Sequence, residues 1–335
     1  MSTLREVALR AGVSLATASR VANGSAGVRL ETRERVERAM RELLYVPPGR
    51  EPATGAIGLL VPELENPIFP ALAQAMESRA AARGFACILC TTGGDPAREA
   101  DHVHMLLERR VDGMIFISSE MADLRADHGH YGRLLDEGAR LVFVNGATGS
   151  LEVTSVGVDE RTAGRLATEH LLGLGHTRIG FVAGPSHFVP TREKEAGRQA
   201  ALRAAGIEPD GLVAHGAFTV EGGRDALRAL LARSNKTPSA VICSSDLMAI
   251  GALHEAAAAG LRVPEDLSIV GFDGIGAAEW TSPPLTTVEQ PIDEIAETAV
   301  DALCSLIDQP RRIVPRMIFR PRLRARGSTA PPASA

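Results

Sequence analysis

The sequence predicts an α/β protein in which a small helical domain precedes a larger core of parallel sheets. Two observations support this prediction. The first 45 or so residues carry three apolar patterns at helical spacing, and from Ile57 onward short apolar strands alternate with amphipathic helices. A segment rich in Pro and Gly, VPPGREPATG at 46–55, separates the two patterns and is typical of a linker. We therefore expect a helix-turn-helix domain at 1–46, a shortened hinge at 47–56 and a core at 57–325.

Three short helical patterns justify the N-terminal domain. The first covers 3–11, begins with the capping-box spacing TLRE and ends at Gly12. Ser14 is placed to cap a second helix that runs to about Asn23, and a third pattern begins after Leu30. Two short helices joined by a tight glycine-containing turn, with a third helix to complete the core, are typical of a three-helix helix-turn-helix domain.

The second helix, within GVSLATASRVANG, has an unusual outer surface. It carries small hydroxyl groups and one guanidinium, which suit close approach to phosphate and to guanine. A merely solvated polar face is the alternative. Residues 1–50 hold nine Arg against five Glu, whereas residues 51–335 hold 27 basic against 36 acidic residues, so the charge favours double-stranded DNA as partner. The candidate phosphate contacts are Ser14, Thr17 and Ser19, and the candidate base contacts are Leu15, Ala16 and Arg20.

Seven apolar segments predict the strands of the core: IGLLVP, FACILC, GMIFIS, RLVFVN, RIGFVAG, AVICSS and LSIVGFDG. Their alternation with helical segments is typical of parallel sheets covered on both faces. Seven strands exceed one flavodoxin-sized unit, so we expect two Rossmann-like subdomains. The N-subdomain is placed at about 57–154 plus 286–312, and the C-subdomain at about 156–284 plus 314–325. The tail, 326–335, is expected to be disordered.

The N-terminal segment resembles the DNA-binding domain of the LacI/GalR family of transcription regulators. TLREVALRAGVSLATASRVANG, continuing through VRLETRERVERAMRELLYVP, matches the family pattern over about 45 residues. The resemblance implies a homodimer that reads a pseudo-palindromic operator. It adds phosphate contacts from Thr3, Asn23, Arg29 and Thr32.

The segment that follows departs from the family pattern. The family usually continues with N-x-x-A-R-x-L, a hinge helix whose Leu wedges into the minor groove. This chain reads YVPPGREPATGAIG and has no Leu between Tyr45 and Ile57. Coupling between ligand and DNA is therefore expected to depend on the geometry of the dimer.

The rest of the chain resembles the periplasmic-binding-protein-like core of the same family. The matching segments are IGLLVPELENPIF, GHTRIGFVAGP, SSDLMAIGAL and IVGFDGIGAAEWTSPPLTTVEQP. Such a core closes over a small molecule at the carboxyl ends of its strands. The resemblance and the strand ends together give the effector-binding candidates Asn66, Phe69, Ser118, Asn145, Arg192, Phe218, Ser245, Asp273 and Trp280. Structural roles remain open for three of them, since Arg192 could form an ion pair, Asp273 could cap a turn and Trp280 could belong to the core.

Two longer segments, LVPELENPIFPALAQ and GPSHFVPTREKEAGR, are similar to the maltose-responsive regulators of actinomycetes. This resemblance implies a repressor that a sugar of the malto-oligosaccharide type releases from DNA. A corepressor-dependent repressor, or an activator that responds to another metabolite, remains an open alternative.

Two other classes of protein fit the sequence poorly. An enzyme would need a catalytic motif, but GFDGIGAAE lacks the third Gly of a dinucleotide fingerprint, and the chain has no GxSxG, P-loop or HExxH. Its Cys and His residues are not spaced as metal ligands, so neither a cofactor nor a metal is expected. A transport-binding protein would begin with a signal peptide, whereas MSTLREVALRAG is charged. No apolar run has the length of a membrane span, and a cytoplasmic location is expected.

Overall fold

The computed structural model describes residues 3–22, 28–43, 45, 55–146, 149, 151–209, 211–233, 237–309 and 316–333. The chain divides into two compact units, Met1–Gly55 and Ala56–Ala335. Asn23 and nearly all of the predicted hinge at 47–56 lie outside the described residues.

The first unit contains the three predicted helices, α1 (Leu4–Ala11), α2 (Leu15–Ala22) and α3 (Leu30–Glu42). The capping box at the start of α1 is present, because the Thr3 N–H donates to Glu6 Oε2 at 2.7 Å while Thr3 Oγ1 accepts from the Glu6 N–H. The apolar faces of the three helices form one small core. Its buried members are Val7, Ala8, Ala11, Ala18, Val21, Val36 and Ala39.

The second unit contains two six-stranded sheets. The first has the strand order β11-β5-β4-β3-β1-β2, and each of its strand pairs is parallel. Its strands are β1 (Ala56–Val61), β2 (Ala86–Thr91), β3 (Gly113–Ile117), β4 (Leu141–Val144), β5 (Thr154–Val158) and β11 (Met317–Phe319). The second sheet has the order β12-β10-β9-β8-β6-β7, and only β12 runs antiparallel to its neighbour. Its strands are β6 (Ile179–Ala183), β7 (Val213–His215), β8 (Ala240–Cys243), β9 (Ser268–Asp273), β10 (Thr286–Glu289) and β12 (Arg322–Arg324).

Helices cover both faces of each sheet, as the alternating pattern predicts. They are α4 (Ile68–Ala82), α5 (Pro96–Glu108), α6 (Gly129–Asp136), α7 (Glu160–Gly173), α8 (Val189–Ala204), α9 (Val220–Leu231), α10 (Asp246–Ala258), α11 (Ala277–Trp280) and α12 (Ile292–Asp308), with a 3₁₀ turn at Glu120–Ala122. On the first sheet, α4 and α12 pack on one face and α5 and α6 on the other. On the second sheet, α9 and α10 lie opposite α7 and α8. Among the helices of the described ranges, none is long and apolar enough to cross a membrane.

The seven predicted strands are all present, but the predicted subdomain bounds are wrong for three further strands. β5 and β11 belong to the first sheet, although we placed 156–284, which includes most of β5, and 314–325, which includes β11, in the C-subdomain. β10 belongs to the second sheet, although we placed 286–312 in the N-subdomain. Apolar periodicity identifies a strand but not the sheet in which it pairs. The chain therefore crosses between the subdomains three times, after β5, β10 and β11.

The prediction of a disordered tail at 326–335 is wrong for 326–333. The buried Ser328 hydroxyl accepts from the Thr286 N–H at 2.8 Å and donates to the Ile269 carbonyl at 2.6 Å. The Ala330 N–H donates to Ser268 Oγ at 3.1 Å. The small polar composition of this segment suggested disorder, but its hydroxyl and amide groups satisfy buried groups of the second sheet.

Acidification is expected to loosen this tail through His176. The ring donates from Nε2 to the Ala330 carbonyl at 2.8 Å and lies 2.9 Å from Ser239 Oγ through Nδ1, while burial lowers its pKa. Since the folded pKa lies below the unfolded value of about 6.5, this stabilisation is complete above that value and is lost as the pH falls below it. Hydrogen exchange of residues 328–330, corrected for intrinsic rates, should lose protection between pH 7.5 and 5.5. His176→Gln should flatten that dependence, and His104→Gln on an exposed ring should not.

Close packing of α7 against α8 gives a second expected result. A Cβ added at Gly164 would collide with the backbone carbonyl of Lys194, which cannot move aside alone. Gly164→Ala should lower the free energy of unfolding by about 1 to 3 kcal/mol, measured by denaturant titration. Gly173→Ala, in the last turn of the same helix, meets no atom within 4 Å and should instead leave stability unchanged or raise it. Equal effects of the two variants would contradict the packing argument.

Candidate functional site

The outer face of α2 carries the DNA-binding candidates. Ser14, Ala16 and Arg20 are exposed, and Leu15 is 48% exposed although it is a large apolar residue. Ser14 Oγ accepts from the Thr17 N–H at 3.1 Å, so it caps the helix as predicted. An exposed Leu beside small hydroxyls and a guanidinium is poorly suited to solvent. It is well suited to the major groove, where thymine methyls and guanine edges are both presented.

The remaining candidates of this unit lie at the first turns of the other two helices. Thr3 is the N-cap of α1, while Arg29 and Thr32 lie at the start of α3, with Arg29 exposed and Thr32 half-buried. A helix N-terminus presents unpaired N–H groups and a positive dipole end, both of which suit phosphate. Ser19 and Thr17 are half-buried on α2. The assignment of individual phosphate and base contacts stays a prediction.

A cleft of about 650 Å³ lies between the two sheets of the second unit. This volume is within the range that small-molecule sites occupy. Residues at the carboxyl ends of strands from both sheets line it, as expected for ligand sites in open parallel sheets. They include Pro62, Thr92, Ser118, Asn145, Ser244, Asp273 and Gln290.

Three lining residues have backbone conformations that side-chain-bearing residues seldom adopt. Ser118 has φ 48°, Asn145 has φ 54° and Asp273 has φ 123°. Across the described parts of the chain, Arg110 is the only other residue besides glycine with positive φ. Such strain persists where the surrounding structure holds it, and it concentrates at functional sites. Here it turns three polar side chains at the ends of β3, β4 and β9 to the same cleft.

A hydrogen-bonded chain of buried side chains joins the two subdomains beside this cleft. Asn145 Nδ2 donates to Gln290 Oε1 at 2.7 Å, and Gln290 Nε2 donates to Asp273 Oδ1 at 2.8 Å. The buried Asn145 Oδ1 accepts no hydrogen bond from the described atoms. Burial, with repulsion from Asp246 next in importance, raises the pKa of Asp273 well above its usual range. The two ends of this hydrogen-bonded chain are therefore a buried Asn145 oxygen that lies beside Gly157 and the Asp273 carboxyl, whose protonated form is favoured.

Lys194 is the only lining residue with a basic side chain among those described. It is 4% exposed, its Nζ lies 2.7 Å from Glu160 Oε2, and it sits 3.6 Å above the centre of the Phe272 ring. Burial raises the pKa of Glu160, and the Lys194 charge opposes that shift. Our sequence analysis missed both Lys194 and Gln290. The sequence could have pointed to Lys194, because lysine is rare in this chain, which has 34 Arg but only two Lys.

Seven of the nine effector-binding candidates line the cleft. They are Asn66, Phe69, Ser118, Asn145, Phe218, Ser245 and Asp273. The structure does not bring Arg192 or Trp280 to this cleft. Arg192 is exposed on α8, because the helix turns Pro190 and Lys194, four residues apart, to the cleft and the residue midway between them outward. Trp280 ends α11 and is 83% exposed.

Two aromatic rings on opposite sides of the cleft provide apolar faces. Phe69 belongs to α4 of the first subdomain, and Phe218 precedes α9 of the second. The Phe218 ring packs directly on the backbone of Gly184, where any Cβ would collide with it. Phe188 supports it edge-on, with ring centres 6.1 Å apart and planes at 68°. Flat apolar faces combined with hydrogen-bonding groups are what a sugar ring requires.

Comparison with known proteins agrees with both units. Residues 3–48 match the model for bacterial regulatory proteins of the lacI family, and residues 168–329 match a periplasmic binding protein-like domain. The HTH-type transcriptional regulator MalR of Streptomyces coelicolor is 41% identical over 98% of this chain and 96% of its own. The Escherichia coli ribose operon repressor is 34% identical over 98% of this chain and 100% of its own.

Two solved structures have the same fold over nearly the whole chain. A complex of the transcriptional regulator CelR with cellobiose has a TM-score of 0.75 at 34% identity, covering 98% of this chain and 100% of its own. The lac repressor dimer bound to operator and the anti-inducer ONPF has a TM-score of 0.76 at 29% identity, covering 98% and 99%. With this agreement over the full length, the chain belongs to the lacI family of bacterial regulatory proteins and is a sequence-specific DNA-binding transcriptional regulator.

Proposed function

We propose that this regulator represses transcription as a homodimer, in the cytoplasm, and that a malto-oligosaccharide bound in the cleft releases it from its operator. The observation that carries the proposal is the cleft itself, in which two aromatic faces and a set of buried polar groups from both subdomains surround a space of about 650 Å³. The maltose-type sugar is supported by the resemblance of two sequence segments to maltose-responsive regulators, and the 41% identity to the regulator MalR of Streptomyces coelicolor agrees with that resemblance. A corepressor-dependent mode of action is the alternative.

The proposed mechanism is a change in the angle between the subdomains. The ligand would contact both, and the three strand crossovers provide the hinge about which they turn. The two subdomains are already in contact beside the cleft, since the Leu124 N–H of the first donates to the His187 carbonyl of the second at 2.9 Å. A ligand that favours one angle shifts the population towards it, and a useful switch needs a few kcal/mol of differential binding. Rotation of the subdomains would then move the two DNA-binding domains out of register with the half-sites.

Cellobiose is the most informative competitor sugar, because CelR was solved with it. Maltose and cellobiose differ only in the configuration of the glycosidic bond, so stacking faces alone would accept either. The polar groups around Asp273 and Asn145 would have to discriminate between them. Ribose, suggested by the ribose operon repressor, would leave most of the cleft unfilled.

Fluorescence anisotropy tests the proposal. The labelled duplex carries sequence from upstream of the protein's own operon, and salt is held near physiological strength because operator affinity depends steeply on it. Maltose and maltotriose should release the DNA, whereas cellobiose and ribose should do so only at much higher concentration. Tight binding that no malto-oligosaccharide releases would reject the effector class. Binding that appears only when sugar is added would reject release in favour of the corepressor alternative.

A further inference from the structure

The walls of the cleft are strongly acidic. Nine Asp and Glu residues line it, against one basic residue, Lys194. The Lys194 ammonium already forms an ion pair with Glu160, at 2.7 Å. No arginine lines the cleft within the described parts of the chain, although Arg makes up nearly all of the basic residues in the sequence. Arginine is the residue best suited to hold phosphate or carboxylate, because its planar fork matches both groups.

Some of these carboxylates have partners within the protein. Asp123 pairs with Arg125 at 3.2 Å and lies 3.7 Å from His187 Nε2. Asp95 caps α5 by accepting from the Ala97 N–H at 2.9 Å. These groups are held by local cations or by backbone donors, and they contribute least to the field in the cleft.

Two more acidic residues of the wall are held by polar donors, since Glu63 accepts from the Asn66 N–H at 2.9 Å and Asp273 accepts from Gln290 Nε2 at 2.8 Å. The remaining four, Glu65, Glu99, Glu120 and Glu221, form no ion pair with Lys or Arg within 4 Å among the described residues. Glu99 is only 4% exposed, accepts a hydrogen bond from the Tyr131 hydroxyl and faces Glu120. The cation nearest to Glu120 is the His130 ring, 3.9 Å away and charged only when protonated. Burial raises the pKa of Glu99, and the negative charge of Glu120 adds to that shift. That shift favours the neutral form of Glu99, so the negative potential of the cleft comes mainly from the charges of Glu65, Glu120 and Glu221, which face a space with low-dielectric walls.

From this arrangement we infer that the cleft selects its effector by charge: it admits neutral or amine-bearing saccharides and excludes phosphorylated sugars and sugar acids. The inference rests on the proposed sugar-binding function and narrows it. The hydroxyls of a neutral sugar can donate hydrogen bonds to the carboxylates that have no Lys or Arg partner. The same carboxylates would attract the ammonium group of an amino sugar. An anion would meet like charges without a cationic partner, an arrangement that weakens its binding.

Three open-chain maltose derivatives that differ only at carbon 1 provide the test. Maltitol is neutral, 1-amino-1-deoxymaltitol is a cation and maltobionate is an anion. Isothermal titration calorimetry on the full-length protein at neutral pH should give a Kd for maltobionate at least about tenfold above that of maltitol. The amine should bind at least as tightly as maltitol. Higher salt should reduce the ratio of the maltobionate Kd to the amine Kd, because salt screens partly exposed charges.

A variant locates the origin of the selectivity. Glu120→Gln removes one uncommitted charge from the wall with little change of shape, and it should lower the maltobionate-to-maltitol ratio of Kd values by about threefold or more. Glu108→Gln, at an exposed position near the end of α5, should leave that ratio unchanged. The ratio is the readout, so a general loss of affinity in either variant does not affect the comparison.

The outcomes separate the two claims. Maltobionate binding as tightly as maltitol, or a ratio that Glu120→Gln does not change, would overturn selection by charge and leave the sugar-binding function intact. If all three maltose derivatives fail to bind, the corresponding three derivatives of cellobiose decide between the remaining possibilities. Binding there with the anion excluded would reject the malto-oligosaccharide class and support the charge rule. Failure of both series would overturn the proposed function and the charge rule together.

Discussion

Replacing Arg20 by alanine should weaken operator binding by about 10- to 100-fold, equivalent to about 1 to 3 kcal/mol, and should relax the preference at one base pair. Arg20 is exposed on α2, on the side of the helix opposite the buried Ala18 and Ala22. A guanidinium at this place can donate two hydrogen bonds to guanine O6 and N7, and its loss removes both at once.

Anisotropy at fixed salt, on the operator and on duplexes with single base-pair changes, measures both parts of this expectation. Arg38→Ala removes the same charge from an exposed position on α3 and should weaken all duplexes alike. If Arg20→Ala also weakens every duplex to the same degree, and lowers the salt dependence by about one ion, then Arg20 contacts phosphate and not a base.

The parts of the fold that the sequence predicts are those with strong local signals. The three helices of the first unit follow from apolar spacing, and the capping box at Thr3 marks the start of α1 correctly. Six of the seven predicted strands are apolar segments that are buried in their sheets, and the seventh, β2, lies at the edge of the first sheet with Leu89 46% exposed. Burial on both faces removes the need for alternation and leaves continuous apolar segments.

The strands that escaped prediction have weaker signals or non-local partners. β5 reads TSVGV, with a Ser and a Gly that dilute its apolar character, and β11 and β12 are three residues long. The sheet in which each of these strands pairs depends on which sheet edge is free next to it, and that is known only once the rest of the fold has assembled. The tail shows the same limit, because Ser328 is ordered by the Thr286 and Ile269 backbone and not by its own sequence.

The candidates at strand ends and Phe69 on α4 line the cleft, whereas Arg192 on α8 does not. Parallel strands all end at the same edge, so Ser118, Asn145 and Asp273 are placed by topology alone. A helical residue is placed by its phase, and a difference of two positions turns a side chain about 200° around the axis. That difference separates the exposed Arg192 from Lys194 in the cleft.

Replacing Phe218 by alanine should raise the sugar concentration needed for half-release of the operator by about 10- to 100-fold, while operator affinity without sugar stays near that of the unaltered protein. The ring is the apolar face of the C-subdomain in the cleft, fixed on Gly184 and supported by Phe188. Fully burying a Phe side chain is worth about 1.5 to 3 kcal/mol, and a stacked sugar would complete that burial. Calorimetry with maltose and anisotropy with the labelled operator measure the two quantities separately.

Two exposed candidates from the sequence provide matched controls. Trp280→Ala removes a larger aromatic ring, and Arg192→Ala removes a cation from the same helix as Lys194, but neither side chain lines the cleft. Both variants should therefore bind maltose with nearly unchanged Kd. Loss of sugar binding in Arg192→Ala with a normal response in Phe218→Ala would place the ligand on the outer side of α8 and remove the cleft as the effector site. Loss of sugar binding in Phe218→Ala with a normal response in Arg192→Ala would place the effector between Phe69 and Phe218, because these two rings approach the same space from different subdomains. A ligand held between them can bias the angle of the core, which a ligand bound to one subdomain alone would not do.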